Sequence, residues 1–302
     1  MTLRSESLQD QTWDATPIDV PLNEGMAARH AAPVQPLGTT NVLGVAVSAL
    51  NMDQAVSLVQ DAVRTRRRGY ICVAGAHGLV ECQTDPSLRD AYNAAMAVTP
   101  DGMPLVWALH GDGHDSAGRV YGPDLMRLLF AKGVSSGMRH FLYGTTPESL
   151  ERLSVALQSQ YPGAEIVGVH APPFRPLSAQ EEREVSAVIN AVKPDVVWVG
   201  LSAPKQERWM AAMRDKLEAP VLIGVGAAFD FIGGNKRSAP AFLQRAGLEW
   251  AFRLMTEPRR LWRRYAKCVP AYIWLRFLQK TGLRAFPIVP AIDVSNSGRS
   301  QS

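Results

Sequence analysis

The 302 residues carry 46% hydrophobic and 20% charged side chains, which excludes a disordered chain and allows one large folded domain or two modest ones. Three cysteines, Cys72, Cys82 and Cys268, are too few for a disulfide scaffold and lack zinc-ligand spacing, and no run of about eighteen apolar residues suits a membrane-spanning helix. The net charge of +4 hides an asymmetry: positions 236–284 hold twelve Lys or Arg against Glu249 and Glu257, a local +10 that leaves −6 elsewhere and requires an anionic partner.

Residues 1–38 mix Gln, Asp, Pro and Ala with few large apolar groups, and are expected to form a flexible leader without a signal peptide. NVLGVAVSAL reads as a strand running to a turn, and apolar spacing at Ala55, Leu58, Val59 and Val63 predicts a helix. YICVAGAHGLVEC begins as a strand and turns toward a helix, and Asp85 with Pro86 opens another. VTPDGMPLVWALHG places Asp101 between a short apolar stretch and a helix, and a further helix is expected from Asp124 to Lys132. RHFLYGTTPESLERL is strand, turn and helix capped by Thr146, EIVGVHAPPF is a strand, and Ser178 starts a helix with a capping box. DVVWVGLSAPKQERWM is strand, turn and helix, and PVLIGVGAAFDFIGG is a last apolar strand and loop.

This alternation, with strands that are unbroken apolar runs, predicts an α/β fold: a Rossmann-like, mostly parallel sheet flanked by helices. Ligands of such sheets sit beyond the carboxyl ends of the strands, so the loops TPDG, YGTT, GLSAPKQE and GVGAAFD are where chemistry is expected. The expected organisation is an α/β domain over 39–237, a basic helical appendage over 238–284 and a flexible tail over 285–302. Pro258 and Pro270 are expected to divide the appendage into two or three short helices. Its interleaved arginines and aromatics suit either a membrane surface or docking on the body.

Asp101 on its Pro-Gly turn can be a helix cap or, if desolvated, a general base. Lys205 and Gln206 open a helix after a buried strand, which suits a diphosphate or simply a surface helix start. GVGAAFDFIGG is not the dinucleotide fingerprint GxGxxG, which disfavours a nicotinamide-dependent oxidoreductase, and LYGTTPES has no Walker lysine. His77, His110 and His114 have no metal spacing, and no DxD motif is present, so no metal or other cofactor is expected. Nucleic acid is not an expected partner: no helix-turn-helix or RNP-like string accompanies the basic segment.

Taken in order, VTPDGMPLVWALHG, RVYGPDLM, FLYGTTPESLERL, VWVGLSAPKQERWM, GVGAAFDFIGG and GLEWAFRLMTEPRRLWRRY resemble the successive blocks of the WecG/TagA/CpsF glycosyltransferases, glycosyltransferase family 26. The resemblance covers roughly 39–265. It implies an α/β domain with a helical appendage that moves a sugar from a UDP-sugar to a polyprenyl-diphosphate-linked saccharide, with inversion, at the cytoplasmic face of a bacterial membrane. It makes Asp101 the general base, Arg119 an active-site arginine holding a phosphate or the acceptor, and Gln206 a polar residue near the donor. Thr99, Gly102, Tyr143, Gly144, Lys205, Gly226 and Asp230 fall in the same blocks and complete the expected substrate-binding set. Arg260, Arg263 and Arg264 would hold anionic head groups and close over the diphosphate. At one place the chain departs: where many relatives have asparagine, CVAGAHG has Gly75, so no sugar contact is carried across there. The implied enzyme is a metal-independent hexosyltransferase of exopolysaccharide or cell-surface polysaccharide synthesis, peripheral on the inner membrane face and a possible homo-oligomer. A non-catalytic nucleotide-binding scaffold for other transferases is the alternative.

Overall fold

The computed structural model describes residues 38–236 and 239–289. Apart from Gly38 the expected leader lies outside the described residues, as do Arg237, Ser238 and 290–302 of the expected tail. The described chain opens on a hairpin, not on the single strand expected there. β1 (Thr39–Val42) pairs antiparallel with β2 (Val45–Ser48), with Val42 opposite Val45 across a two-residue turn. Both turn residues have positive φ, 55° at Leu43 and 84° at Gly44, the backbone whose twist suits a tight hairpin. Glycine adopts it freely, whereas Leu43 is held there by burial and by bonds to Gln279 Oε1 and Gln83 Nε2.

Six strands form one parallel sheet: β3 (Gly69–Ala74), β4 (Ala97–Pro100), β5 (Arg139–Gly144), β6 (Glu165–His170), β7 (Val196–Gly200) and β8 (Val221–Gly224). Their order across the sheet is β4-β3-β8-β7-β5-β6. Successive residues enter opposite layers. Tyr70, Cys72, Val197 and Val199 belong to one apolar cluster, and Ile71, Trp198, Leu142 and Ile223 to the other. The unbroken apolar strands are therefore explained by burial on both faces. Within the second layer the Trp198 indole donates to His140 Nδ1 at 3.1 Å, and His140 stacks on Phe130 at 3.9 Å.

The covering helices are α1 (Met52–Arg64), α2 (Ala76–Glu81), α3 (Pro86–Asn93), α4 (Met103–His110), α5 (Gly122–Ser136), α6 (Pro147–Gln160), α7 (Ala179–Ala191), α8 (Lys205–Met213) and α9 (Ala228–Ile232). Asp85 and Thr146 cap α3 and α6, and Ser178 with Glu181 forms the capping box of α7, as the sequence predicts. α5 is longer than expected and stops at Gly137 in the left-handed region, φ 62°. The expected loop after β8 instead winds into the short α9.

Three helices follow: α10 (Ala241–Arg245), α11 (Glu249–Thr256) and α12 (Pro258–Lys280). Pro258 opens α12 as expected, but Pro270 does not end a helix; it lies inside one of 23 residues. The ring removes one hydrogen bond to the carbonyl four residues back. Anchors on both sides of it keep the helix running: buried Leu261, and Tyr272, whose hydroxyl donates to the Pro104 carbonyl at 3.1 Å. Near its end, Gln279 Nε2 donates to the Asn41 carbonyl at 3.0 Å. Past α12 the chain turns back, and Phe286 is buried with its carbonyl accepting from Asn41 Nδ2 at 2.7 Å, so the segment expected to begin a free tail starts docked. Among the described residues no helix is long and apolar enough to cross a membrane.

Candidate active site

A cavity of about 810 Å³ opens beyond the carboxyl ends of β3, β4 and β8, with α10, α11 and α12 over it. Parallel sheets place their ligands at this edge, where helix starts and strand ends converge. Gly75 enters it after β3, Asp101 after β4, Gly226 after β8, and Arg253 and Arg264 come from the helices above.

Asp101 is not a cap. The N-cap of α4 is Gly102, and the Asp101 carboxylate faces the cavity with its side chain 33% exposed. Its backbone is fixed, with the N–H donating to the Ala74 carbonyl at 2.9 Å and the carbonyl accepting from Arg119 Nε at 2.5 Å. Oδ1 is sealed by protein and has no hydrogen-bond partner. Burial raises the carboxyl to about 7 and Glu249 adds to the rise, against the pull of Arg119 and Arg253. A carboxylate poised there is half ionised near neutral pH and can accept a proton from a hydroxyl.

Arg119 lines the cavity, but its donors are committed to protein. Besides the Asp101 carbonyl, Nη1 donates to Gln244 Oε1 at 2.9 Å, Nη2 contacts Glu249 Oε2, and the guanidinium lies 4.2 Å above the Tyr121 ring. The expected phosphate-holding arginine is, in this conformation, a bridge between the Asp101 turn and α10–α11.

Gln206 is 2% exposed, and its Oε1 accepts from the Gly226 N–H at 2.9 Å while Nε2 donates to the buried Glu207 at 3.0 Å. It thus holds the GVGAAFD loop at the cavity wall, where Gly226 has φ 55°. Burial keeps the Glu207 carboxyl above its ordinary range. Asp230 also lines the cavity and pairs with Lys236 at 2.8 Å.

Of the three appendage arginines, Arg264 and Arg260 reach the cavity, and Arg260 is paired with Glu257 at 2.5 Å. Arg264 contacts His77 Nε2. Burial first, then Arg264 and Arg253, lower His77 to about 3, so the imidazole is neutral and adds no charge beside Arg264. Nothing in the sequence singles out Arg253, which reads there as one arginine among many. It lines the cavity with its Nε buried and unpartnered, and among the described residues neither Arg253 nor Arg264 meets a carboxylate within ion-pair distance. Cations that face a cavity without a carboxylate in direct contact suit an anion in electrostatic terms.

Apart from Gly102, the remaining expected residues are elsewhere. Thr99 is buried in β4, and Tyr143 is buried between Trp209 at 4.0 Å and His170 at 5.6 Å. Gly144 serves strand packing, because a Cβ there would meet the Gly200 backbone at 2.8 Å. Lys205 is exposed at the start of α8, and Arg263 is exposed over the Trp262 ring at 5.4 Å; neither lines the cavity. Gly102 does line it. Among the described residues no group of three or more His, Cys, Asp or Glu is gathered as for a metal ion.

Gly75 is the N-cap of α2, in extended backbone at φ −103° and with no side-chain cap bond; a Cβ at this position would have no atom within 4 Å. Gly75→Asn is therefore expected to fit, cap α2 and stabilise by about 0.5–1 kcal/mol. Thermal unfolding checks this, and a lowered Tm would contradict the open space.

A parallel α/β sheet thus presents a carboxylate and arginines together at its carboxyl edge, where sheets of this kind take up ligands. The chain belongs to the glycosyl transferase WecG/TagA/CpsF family, whose family model matches residues 40–285. It is similar to N-acetylglucosaminyldiphosphoundecaprenol N-acetyl-beta-D-mannosaminyltransferases: that of Bacillus spizizenii is 32% identical over 204 residues, 68% of this chain and 77% of the relative. That of Staphylococcus aureus is 27% identical over 236 residues, 78% of this chain and 90% of the relative.

Proposed function

We propose that this protein is an inverting glycosyltransferase that moves an N-acetylhexosamine or hexose from a UDP-sugar to an undecaprenyl-diphosphate-linked saccharide in bacterial exopolysaccharide or cell-surface polysaccharide synthesis. The observation that carries the reading is the juxtaposition, in one cavity, of the Asp101 carboxylate with Arg253 and Arg264. In the reaction the acceptor hydroxyl oxygen attacks the anomeric carbon and forms the new glycosidic bond. The bond from that carbon to the UDP oxygen breaks, its electron pair leaves with UDP, and the hydroxyl proton passes to Asp101. Arg253 and Arg264 stabilise the charge gathering on the leaving diphosphate. Gln206 holds the Gly226 turn against the donor, and Arg119 holds the Asp101 turn. One displacement with one base inverts the anomeric configuration.

The names of the relatives make UDP-N-acetylmannosamine the first donor to test and N-acetylglucosaminyl-diphosphoundecaprenol the first acceptor. The test is a panel of UDP-sugars incubated with that acceptor, following UDP release. Release with one donor, dependent on acceptor, supports the reading, and UDP but not NAD should raise Tm. Binding of UDP with no release across donors and acceptors supports the scaffold alternative.

The appendage is proposed to rest on the inner membrane face. Trp262, Ile273, Trp274, Phe277 and Leu283 are exposed on or just after α12, and Arg259, Arg263 and Lys267 are exposed on the first half of the same helix. Apolar side chains flanked by cations suit the boundary between anionic head groups and acyl chains. Replacing Trp274 and Phe277 together by alanine is expected to weaken co-sedimentation with anionic vesicles about tenfold or more, with UDP affinity unchanged. Undiminished sedimentation would place the contact elsewhere.

A further inference from the structure

We infer that Glu249 is a positioning residue that holds the Arg119 guanidinium off the Asp101 carboxylate. The inference rests on the proposed function, in which Asp101 is the base. Arg119 has two carboxylates within reach and is drawn onto one of them. Nη2 contacts Glu249 Oε2 but stands 3.7 Å from Asp101 Oδ1, a longer ion pair that leaves Oδ1 without a hydrogen-bond partner. Both ends of the Arg119–Glu249 pair are 17% exposed, so solvent does little to loosen it. Gln244 takes Nη1 at 2.9 Å, and the Tyr121 ring lies 4.2 Å from the guanidinium. Nε is fixed on the Asp101 carbonyl, so the arginine supports the turn through its backbone while Nη2 hydrogen-bonds Glu249 and stays at 3.7 Å from the Asp101 side chain, beyond hydrogen-bond distance.

The consequence follows from the charges that face Asp101, which are Arg119, Tyr121, Glu249 and Arg253, with Asp124 beside Arg119 on α5. An arginine paired directly with a buried carboxylate would lower its proton affinity by about one to three pH units and leave it a poor base. Glu249 both neutralises Arg119 and sets a like charge near Asp101. Because Glu249 opens α11 and Gln244 lies in α10, the base is complete only when these helices are docked over the cavity.

The experiment is the pH dependence of kcat/KM for acceptor-dependent UDP release by the wild type, Glu249→Gln and Glu249→Asp. In Glu249→Gln the guanidinium is expected to close on Asp101. The acid limb then moves down by about one pH unit or more and the plateau rate falls about tenfold; Glu249→Asp restores both in part. A plateau loss with the limb unmoved would reduce Glu249 to a structural tether and overturn the inference. If Glu249→Gln does not fold, Gln244→Leu loosens the same guanidinium and should move the limb in the same direction, and an unmoved limb there overturns it equally. Absence of transfer in the wild type would instead count against the glycosyltransferase reading. In that event a carbon-13 titration of the Asp101 carboxyl decides the inference: a lower midpoint in Glu249→Gln supports it and an unchanged one overturns it.

Discussion

Asp101→Asn is expected to lower acceptor-dependent transfer by about 10²–10⁴-fold and, in the same protein, to raise the melting temperature. The activity loss follows from removing the only proton acceptor the reading assigns to the hydroxyl. The stability gain follows from desolvation. Folding raises this carboxyl from 3.8 to about 7, so between those values the folded state binds more protons than the unfolded chain. Stability of the wild type therefore falls as pH rises through that window, and the full cost is present above about 7. Since the side chain is 33% exposed to the cavity, solvent screening reduces that cost to the order of 1–3 kcal/mol. Asparagine carries no charge and escapes it. The Tm difference should vanish below about pH 4 and be largest above about pH 7. Turnover like the wild type's would remove Asp101 from the mechanism, and a pH-independent Tm difference would contradict its desolvation.

Arg253→Met and Arg264→Met are each expected to weaken UDP binding about 10- to 100-fold, the scale of a lost charge-assisted hydrogen bond of about 1.5–3 kcal/mol. Neither cation has a carboxylate partner among the described residues, so neither substitution should cost much stability in the absence of UDP. The two effects separate a ligand-binding role from a structural one. Calorimetric titration with UDP gives the first and thermal unfolding the second. Unchanged UDP affinity in both variants would show that the diphosphate is held elsewhere in the cavity.

Much of the fold is legible in the sequence because it depends on local pattern. Unbroken apolar strands alternating with capped helices require burial on two faces, and Asp85, Thr146 and Ser178 cap where their spacing says. The failures are long-range. Leu43 is not a turn-forming residue type, and only burial and partners from α2's end and α12 hold its positive φ. Pro270 breaks helices locally, yet Leu261 and Tyr272 dock α12 on both sides of it.

The site divides in the same way. Asp101, Gln206 and Gly226 sit just past strand ends, where a parallel sheet must present its loops, so sequence position alone locates them. Tyr143 and Gly144 are the last two residues of β5, and the space around them is filled by Trp209, His170 and Gly200. The partners of Arg119, Gln244 and Glu249, lie 125 and 130 residues away, a pairing that no local signal carries. Arg253 differs from Arg259 and Arg263 in lining the cavity, which nothing in its local sequence marks. The exposed Arg263 shows the other outcome on the same segment.

The most direct test is the pH dependence of kcat/KM for acceptor-dependent UDP release by the wild type, followed through neutrality. An acid limb with a midpoint near 7, set by the desolvated Asp101 carboxyl, is the predicted result. A rate that stays level as pH falls well below that value would contradict Asp101 as the base.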